Sequence, residues 1–258
     1  MLGLLLYNKE DYLRNETYVK WLIEEGYRND LNLMIMFKND LILKGIPKNI
    51  HIDFVINRTR SYDLSLLFEL NDIRVFNNSE ITLLGNNKLA AYKYAKLKRF
   101  SFPEVLLNWG HGKVISKPND SHGGYGIGLV GEIDLNDGNN RFQQVFVEDI
   151  LGDVRFYVIG NKIVHGVLRK SKDKILSNFS QGGEIEYYKF SQEEKDFVEN
   201  FIKGLKVDYA GIDFFITVKG QLIFNEIEDV VGSRMLSQLG INNTTELYFA
   251  HISKQMKK

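Results

Sequence analysis

The first third of the chain alternates short apolar runs with segments in which apolar residues recur at helical spacing. The runs of strand length cover residues 2–7, 31–37, 53–57 and 73–76. After the first run, Asn15 can cap a helix whose apolar stripe is Tyr18, Val19, Leu22 and Ile23. A second, shorter helix is predicted over residues 63–71. Strands that alternate with helices favour a small α/β layer with a parallel sheet, ending near residue 84.

The remainder of the chain has a different pattern. A helix rich in Ala, Lys and Tyr is predicted from Lys88 to Lys98, with Asn86 or Asn87 as its cap. Residues 113–228 are mostly strand-like runs joined by tight turns, interrupted by one helix that Ser191 and Glu194 open with a capping-box pattern. A last helix is predicted over 244–256. The pattern therefore predicts an N-terminal α/β domain followed by a larger α+β region.

Composition narrows the function classes. The chain has 258 residues, 44% of them hydrophobic, so it can bury a full core. Lys plus Arg equals Asp plus Glu, and no basic aromatic face is visible, which argues against a nucleic-acid partner. No cysteine is present, which excludes thiol catalysis and zinc–thiolate sites. No apolar run approaches the length of a membrane span or signal peptide, so we expect no membrane partner and a cytoplasmic protein.

Residues 211–229 read as a hairpin that carries several carboxylates. If Lys219 and Gly220 form its loop, the opposed pairs are Phe215–Phe224, Ile216–Ile223, Ile212–Ile227 and Asp213–Glu226. Glu228 then points to the same face as Glu226. Like charges directly opposite each other destabilise a sheet. Either the face is solvated and screened, or a divalent cation bridges the carboxylates, and oxygen ligands of this kind suit Mg²⁺.

A glycine-rich loop lies earlier in the chain, within residues 114–130. Lys117 precedes it, and the loop contains Ser121, His122, Gly123, Gly124, Gly126 and Gly128. Glycines let backbone N–H groups wrap phosphate oxygens, and a lysine adds a point charge. The alternative is an ordinary flexible hairpin. The loop matches neither a Walker motif nor a Rossmann fingerprint.

Taken in order, these segments resemble the ATP-grasp superfamily, in particular its RimK-type and D-alanine–D-alanine-ligase-like carboxylate–amine ligases. The segments that carry the resemblance are 55–60, 75–95, 114–130, 143–171, 177–183 and 211–235. The resemblance implies an α+β fold with a small N-terminal α/β (pre-ATP-grasp) domain over residues 1–84. An ATP-grasp domain would follow over 85–258, divided into a lid subdomain (85–147) and a metal-binding subdomain (148–258).

The resemblance also implies roles for individual residues. The phosphates, adenine and ribose of ATP would be bound by Lys88, Lys117, Ser121, His122, Gly123, Gly124, Gln144, Val145, Phe146, Val147, Glu148 and Asp153. Two Mg²⁺ ions, with Mn²⁺ as an alternative, would be held by Asp213, Glu226 and Glu228. The catalytic candidates are Arg169, Asn178 and Arg234. The sequence departs from the family where Glu228 replaces the usual asparagine, and where Val145 replaces the usual acidic residue after Gln144.

The function that follows is an ATP-dependent ligase that joins a carboxylate to an amine through an acyl phosphate and releases ADP and phosphate. The substrates would be small molecules or peptides. Two alternatives stay open at this point: a phosphotransferase acting on a small hydroxylated substrate, and a nucleotide-binding module without catalysis. The oligomeric state is also open, with a homodimer as one option.

Overall fold

The computed structural model describes residues 1–107, 113–121, 123–131, 140–170 and 183–257. Its helices are α1 (Lys9–Arg14), α2 (Glu16–Arg28), α3 (Lys38–Lys44), α4 (Tyr62–Glu69), α5 (Ser79–Asn86), α6 (Lys88–Leu97), α7 (Gln192–Phe201), α8 (Arg234–Gln238) and α9 (Thr244–Met256). Its strands are β1 (Leu2–Tyr7), β2 (Asn32–Phe37), β3 (Phe54–Asn57), β4 (Arg74–Phe76), β5 (Val105–Leu106), β6 (Val114–Pro118), β7 (Gly128–Leu129), β8 (Arg141–Val145), β9 (Ile150–Ile159), β10 (Lys162–Lys170), β11 (Glu184–Tyr187), β12 (Tyr209–Thr217) and β13 (Leu222–Glu228).

The first four strands form a parallel sheet in the order β2-β1-β3-β4. Its central strands β1 and β3 are buried almost throughout, because helices or the rest of the protein cover both faces. The predicted parallel α/β layer is thus confirmed. The structure adds α1, α3, α5 and α8, which the apolar pattern did not indicate. Asn15 lies at the N-cap of α2, but its side chain donates to the Asp11 carbonyl and does not cap the helix, contrary to prediction.

Two antiparallel sheets follow in sequence. The smaller has the order β5-β8-β6-β7, and the larger has the order β11-β10-β9-β12-β13. The main aromatic cluster packs α6 and α7 on the larger sheet through Tyr92, Phe201, Phe214 and Phe224. Both predicted caps are present: Asn87 accepts from Ala90 N at the start of α6, and Ser191 and Glu194 form the capping box of α7. The domain limits at residues 84 and 147 stay a prediction.

Buried polar side chains fasten the parallel sheet to the larger antiparallel sheet. The Asn77 amide accepts from the backbone N–H groups of Asp208 and Tyr209, at 3.0 and 2.9 Å. It donates to the carbonyl oxygens of Tyr209 and Asp229, at 2.7 and 3.0 Å. Arg74 binds both oxygens of Asp208. This side-chain pairing satisfies backbone groups that would otherwise be buried without partners, so it fixes how the two layers meet.

We expect Asn77→Ala to lower the free energy of unfolding by about 2–4 kcal/mol, because four hydrogen bonds are lost and buried backbone groups lose their partner. Urea unfolding followed by circular dichroism measures this change. Asn71→Ala is the matched control, because the Asn71 amide donates to a single exposed carbonyl. Equal small losses in both variants would contradict the role assigned to Asn77.

Candidate functional site

Three neighbouring strands bring charged side chains together inside the larger sheet. In the register of β9 and β12, Arg155 lies opposite Asp213. In the register of β9 and β10, Asp153 lies opposite Arg169. All four residues are almost fully buried, and Asp213 has no exposed surface. Ordinary strand pairing thus places two arginines and two aspartates side by side on one face of the sheet, almost without exposure to solvent.

These four side chains form a continuous chain of ion pairs. Arg155 donates from Nε and Nη2 to the two Asp213 oxygens, at 2.8 and 2.7 Å. Arg169 Nη2 donates to Asp213 Oδ2 and to Asp153 Oδ2, both at 2.5 Å. Arg155 Nη1 also contacts Glu228. Both Asp213 oxygens are therefore engaged by guanidinium groups.

The surroundings shift the proton affinities of these carboxyl groups in opposite directions. Burial alone would raise the pKa of Asp213, but Arg155 and Arg169 outweigh it and hold the pKa below the usual value. Burial raises the pKa of Asp153, even though Arg169 opposes the shift. Burial also raises the pKa of Glu228, with Arg155 opposing it. Asp213 is thus the member of the cluster that stays ionised most firmly.

The hairpin β12–β13 has the predicted pairs Asp213–Glu226 and Ile212–Ile227, but part of its predicted register is wrong. Phe215 lies opposite Ile223, not Phe224, and Ile216 lies opposite Leu222, not Ile223. The turn is one residue longer than predicted, since Thr217 N bonds Gln221 O. A bulge after Asp213 compensates by leaving Asn225 as the extra residue on β13.

The predicted phosphate-binding lysines converge on the same hairpin. Lys117, on β6, donates to Asn225 Oδ1 at 3.4 Å, and Lys88 lies 3.8 Å from a Glu226 oxygen. Lys88 also donates to the carbonyl oxygen of Ser121, at the start of the glycine loop. Burial lowers the pKa of Lys117 to about 8, despite the opposing charge of Glu226. Both lysines are buried, so each would bind an anion without a full water shell.

The described part of the glycine loop is consistent with a backbone cradle. Gly123 and Gly124 have φ angles of 65° and 78°, the left-handed region that glycine adopts freely. The side chain of Ser121 donates to the Pro118 carbonyl at 3.4 Å. His122 and Asn178 lie outside the described residues.

The segment predicted to line the adenine and ribose pocket begins at the end of β8. The Gln144 side chain is buried, and its Oε1 accepts from the Tyr92 hydroxyl at 3.2 Å, while its Nε2 has no partner among the described residues. Val145 and Phe146 donate their backbone N–H groups to Glu104 and Lys113. A backbone N–H donated to an adenine edge would therefore have to come from Val147 or Glu148. Glu148 is exposed and pairs with Lys113 at 3.0 Å.

A cavity of about 730 Å³ opens over the charged sheet. Its lining includes Arg155, Arg169, Glu226, Glu228 and Gly123, together with residues of the N-terminal layer. Arg234, a predicted substrate anchor, is exposed at the start of α8 and lines the same cavity. The structure thus brings Glu226, Glu228, Arg169, Arg234 and part of the glycine loop to one space, whereas the third predicted carboxylate, Asp213, is fully buried and does not line it.

Sequence reasoning missed two residues of this site, Arg155 and Asn225. Arg155 had a signal: Asp153 and Arg155 stand two apart in an otherwise apolar run, so both face the same side of a strand. Asn225 had none, because its position depends on the bulge. Among the residues that the structure describes, no group of three or more His, Cys, Asp or Glu side chains is arranged to hold a metal ion.

None of the helices within the described residues combines the length and the apolar character that a membrane span requires.

Comparison with protein families matches residues 134–250 to a RimK-like ATP-grasp domain. A relative in Mycoplasma genitalium, "Uncharacterized protein MG011", is 30% identical and aligns with 97% of this chain and 92% of its own length. A "Probable alpha-L-glutamate ligase" of Histophilus somni is 31% identical over 45% of this chain and 39% of its own length.

The fold is also similar to a solved structure, D-alanine–D-alanine ligase of Bacillus anthracis complexed with ATP. The match has a TM-score of 0.73 and covers 100% of this chain and 97% of that chain, at 14% identity. The likeness of fold therefore extends well beyond the segment matched to the family domain, and the α+β fold expected from the sequence is confirmed.

Replacing Arg169 with methionine should lower the free energy of unfolding by about 3–5 kcal/mol, because buried Asp153 would lose its ion-pair partner and buried Asp213 would keep only Arg155. Chemical unfolding measures the change. Lys170→Met is the matched control, since Lys170 is the next residue of β10 and pairs with Glu186 at the surface. If Arg169→Met lowered the free energy of unfolding no more than Lys170→Met does, the buried ion pairs would not stabilise the sheet.

Proposed function

The chain belongs to the ATP-grasp superfamily as a RimK-like member, and from this premise we propose that it is an ATP-dependent carboxylate–amine ligase. It would form an amide or peptide bond through an acyl phosphate and release ADP and phosphate. The observation that carries the proposal is that two buried lysines contact the carboxylate hairpin, which lines the cavity together with Gly123 of the glycine loop. ATP-grasp enzymes generally use ATP and Mg²⁺, and the site has to accommodate both.

The donor set fits a hard divalent cation. The side chains of Glu226 and Glu228 are about one-quarter exposed and line the cavity, so their oxygens can reach a metal there. Asp213 would join them as a ligand if Arg155 or Arg169 released one of its oxygens. Bound Mg²⁺ would neutralise phosphate oxygens of the nucleotide. The same proposal includes two Mg²⁺ ions at this site, with Mn²⁺ as an alternative metal.

The protein's own contribution is positioning and charge neutralisation. Lys88 and Lys117 would hold nucleotide phosphates, and their burial keeps competing water away. The glycine loop would cover the phosphates with backbone N–H groups. Arg169, which lines the cavity and has an unpaired buried Nε, would meet the γ-phosphate or the reacting carboxylate. Once the acyl phosphate forms, the amine nitrogen attacks its carbonyl carbon and phosphate leaves.

The substrates would be an acid and an amine of small-molecule or peptide size, bound beyond the γ-phosphate. Arg234 would anchor one of them from the rim of the cavity. The relative named for glutamate ligation supports an amino-acid substrate, but it aligns with less than half of this chain.

The function is tested by incubating the purified protein with ATP, Mg²⁺ and pairs of candidate amino acids or peptides, with ADP, phosphate and product mass measured together. We expect ADP and phosphate in equal amounts and a product lighter than its two substrates by one water. Glu226→Gln should weaken Mg²⁺-dependent nucleotide binding at least about tenfold, since it removes a charged ligand. Glu186→Gln, a surface carboxylate on β11, should have no effect.

Two results would count against the proposal. ADP formation with a phosphorylated hydroxyl compound, and no coupled product, would assign the protein to the phosphotransferases. Unchanged Mg²⁺ dependence in Glu226→Gln would remove the hairpin from the metal site.

Nucleotide affinity should fall as pH rises above about 8. Burial lowers the pKa of Lys117 to about 8, so above that pH the free protein must take up a proton to present an ammonium group to the phosphates. The loss should approach about tenfold per pH unit, as expected for one proton. Lys117→Arg stays charged and should bind with little dependence between pH 7.5 and 9.5. Parallel pH profiles of the parent and variant, recorded by calorimetry, would exclude Lys117 as the titrating group.

A further inference from the structure

The parallel sheet has one edge that the described part of the protein leaves open. Its strand order β2-β1-β3-β4 places β2 and β4 at the edges. β4 has three residues, and its Arg74 and the following Asn77 bind the larger sheet. β2 has six residues, and β1 is its single neighbour in the sheet. The outer side of β2 therefore meets no other strand among the described residues.

The pairing of β2 with β1 shows which backbone groups of β2 face outward. Asn32 N donates to Met1 O at 2.9 Å, so Asn32 and the alternate residues after it turn their backbone groups towards β1. Leu33, Ile35 and Phe37 therefore turn theirs to the open side. The N–H groups of Leu33 and Ile35 have no hydrogen-bond partner among the described residues.

β2 lacks the features that usually protect an open edge. Residues 31–37, LNLMIMF, contain no charge and no proline. Every side chain from Leu33 to Phe37 is partly exposed. Proteins usually block such edges with lysines, prolines, bulges or very short strands, because unpaired backbone groups are a template for another chain. An unblocked apolar edge of this length indicates a partner strand.

The geometry of β2 permits one symmetric pairing with a second copy of this chain. A two-fold axis pairs the strand with itself in antiparallel fashion, and outward-facing residues pair with outward-facing residues. Pairing centred on Ile35 sets Ile35 of the two copies opposite each other and Leu33 opposite Phe37. Centring on Leu33 would run into the turn at Asp30, where φ is 59°, and centring on Phe37 would run into α3. The Ile35 register alone stays within extended backbone.

Opposite charges meet at each end of this pairing. Lys38 of one copy lies opposite Asn32 of the other and diagonal to its Asp30, a separation that a long side chain spans. Asp30 is exposed and Lys38 is partly exposed. Neither side chain makes a salt bridge with a described residue. The free charges at the two ends of β2 are therefore complementary to those of a second copy.

Exposed apolar side chains flank the same two ends. Tyr27, in the last turn of α2, is 77% exposed, and Ile42 and Leu43 of α3 are 61% and 80% exposed. Antiparallel pairing brings Tyr27 of one copy to the end where α3 of the other copy begins. A stable interface buries at least about 1,000 Å², more than two short strands supply. These side chains would supply the additional buried area.

We propose that the protein forms a two-fold homodimer in which the β2 strands pair in antiparallel fashion about Ile35 and join the two parallel sheets into one. Such a dimer is independent of the proposed ligase reaction. The Phe37 and Tyr12 ring centroids lie 5.4 Å apart, and Asp11 and Leu13, beside Tyr12 on α1, line the cavity. The interface thus adjoins one wall of the cavity.

Disulfide crosslinking tests the register, because the chain contains no cysteine of its own. Ile35→Cys should give a covalent dimer under mild oxidation, since residues opposite each other in such a pair have Cα atoms about 5.5 Å apart, within the range of a disulfide. Leu33→Cys is the matched control on the same face of the same strand. Its Cα atoms would lie on the order of 13 Å apart, so it should crosslink little. Non-reducing gel electrophoresis measures both.

Sedimentation equilibrium measures the association itself. We expect the parent protein to dimerise, and Lys38→Glu to weaken the dimer about three- to tenfold, because a carboxylate would then approach Asp30 of the other copy at each end. Adding Asp30→Asn should restore most of the affinity, since it removes the repulsion and asparagine also adopts the left-handed conformation. Lys219→Glu is the control with the same charge change, at the exposed end of the β12–β13 hairpin.

Three results would overturn the homodimer: a protein that stays monomeric at the highest concentration measured, a disulfide through Leu33→Cys but not through Ile35→Cys, or a dimer whose affinity Lys38→Glu leaves unchanged. In a monomer, a peptide substrate that protected the Ile35→Cys thiol from alkylation would assign the edge to that peptide instead.

Discussion

The buried chain of Arg155, Asp213, Arg169 and Asp153 is the interaction on which the rest of the site depends. Its members alternate in sign and lie on three neighbouring strands, β9, β10 and β12. In a low-dielectric interior each charge is tolerated only while its partner stays in place. A slip of one residue in any strand would turn a charge toward the apolar core, so the ion pairs and the strand register specify each other.

This arrangement decides which groups are presented to a nucleotide. The carboxylates of Asp213 and Asp153 are paired with arginines within the sheet. Arg155 also contacts Glu228 and so extends this series of ion pairs. What remains at the cavity is a pair of partly exposed glutamates, of which Glu226 lies near the buried Lys88. The glutamate at 228, where the family usually has asparagine, adds a negative charge that Arg155 offsets. The departure seen in the sequence is therefore matched by a compensating cation two strands away, which the hairpin alone could not reveal.

Apolar spacing and turn residues predicted the parallel layer, the capping box of α7 and the Asp213–Glu226 pair. Each of these depends on interactions within a few residues, or on the simple alternation of strands. The hairpin shows where such reasoning ends. The prediction missed the longer turn and the bulge at Asn225, and these two errors cancelled at Asp213. The pairing of Asp213 with Glu226 was therefore right, while Phe215 and Ile216 were assigned wrong partners. Bulges depend on tertiary contacts, here Lys117 on Asn225, and leave no local pattern.

Arg58 was out of reach for a different reason. Buried Arg58 donates to carbonyl oxygens that lie 172 and 173 residues further along the chain, and such a contact cannot be read from local spacing. Its carbonyl partners, Val230 and Val231, directly follow the hairpin that ends at Glu228. Asn77 and Asn86 bind the intervening Asp229. One short segment thus joins the hairpin carboxylates to the N-terminal layer. The position of the N-terminal layer over the hairpin is therefore fixed by a few buried side chains, because Arg58 and Asn77 both bond the backbone that follows Glu228.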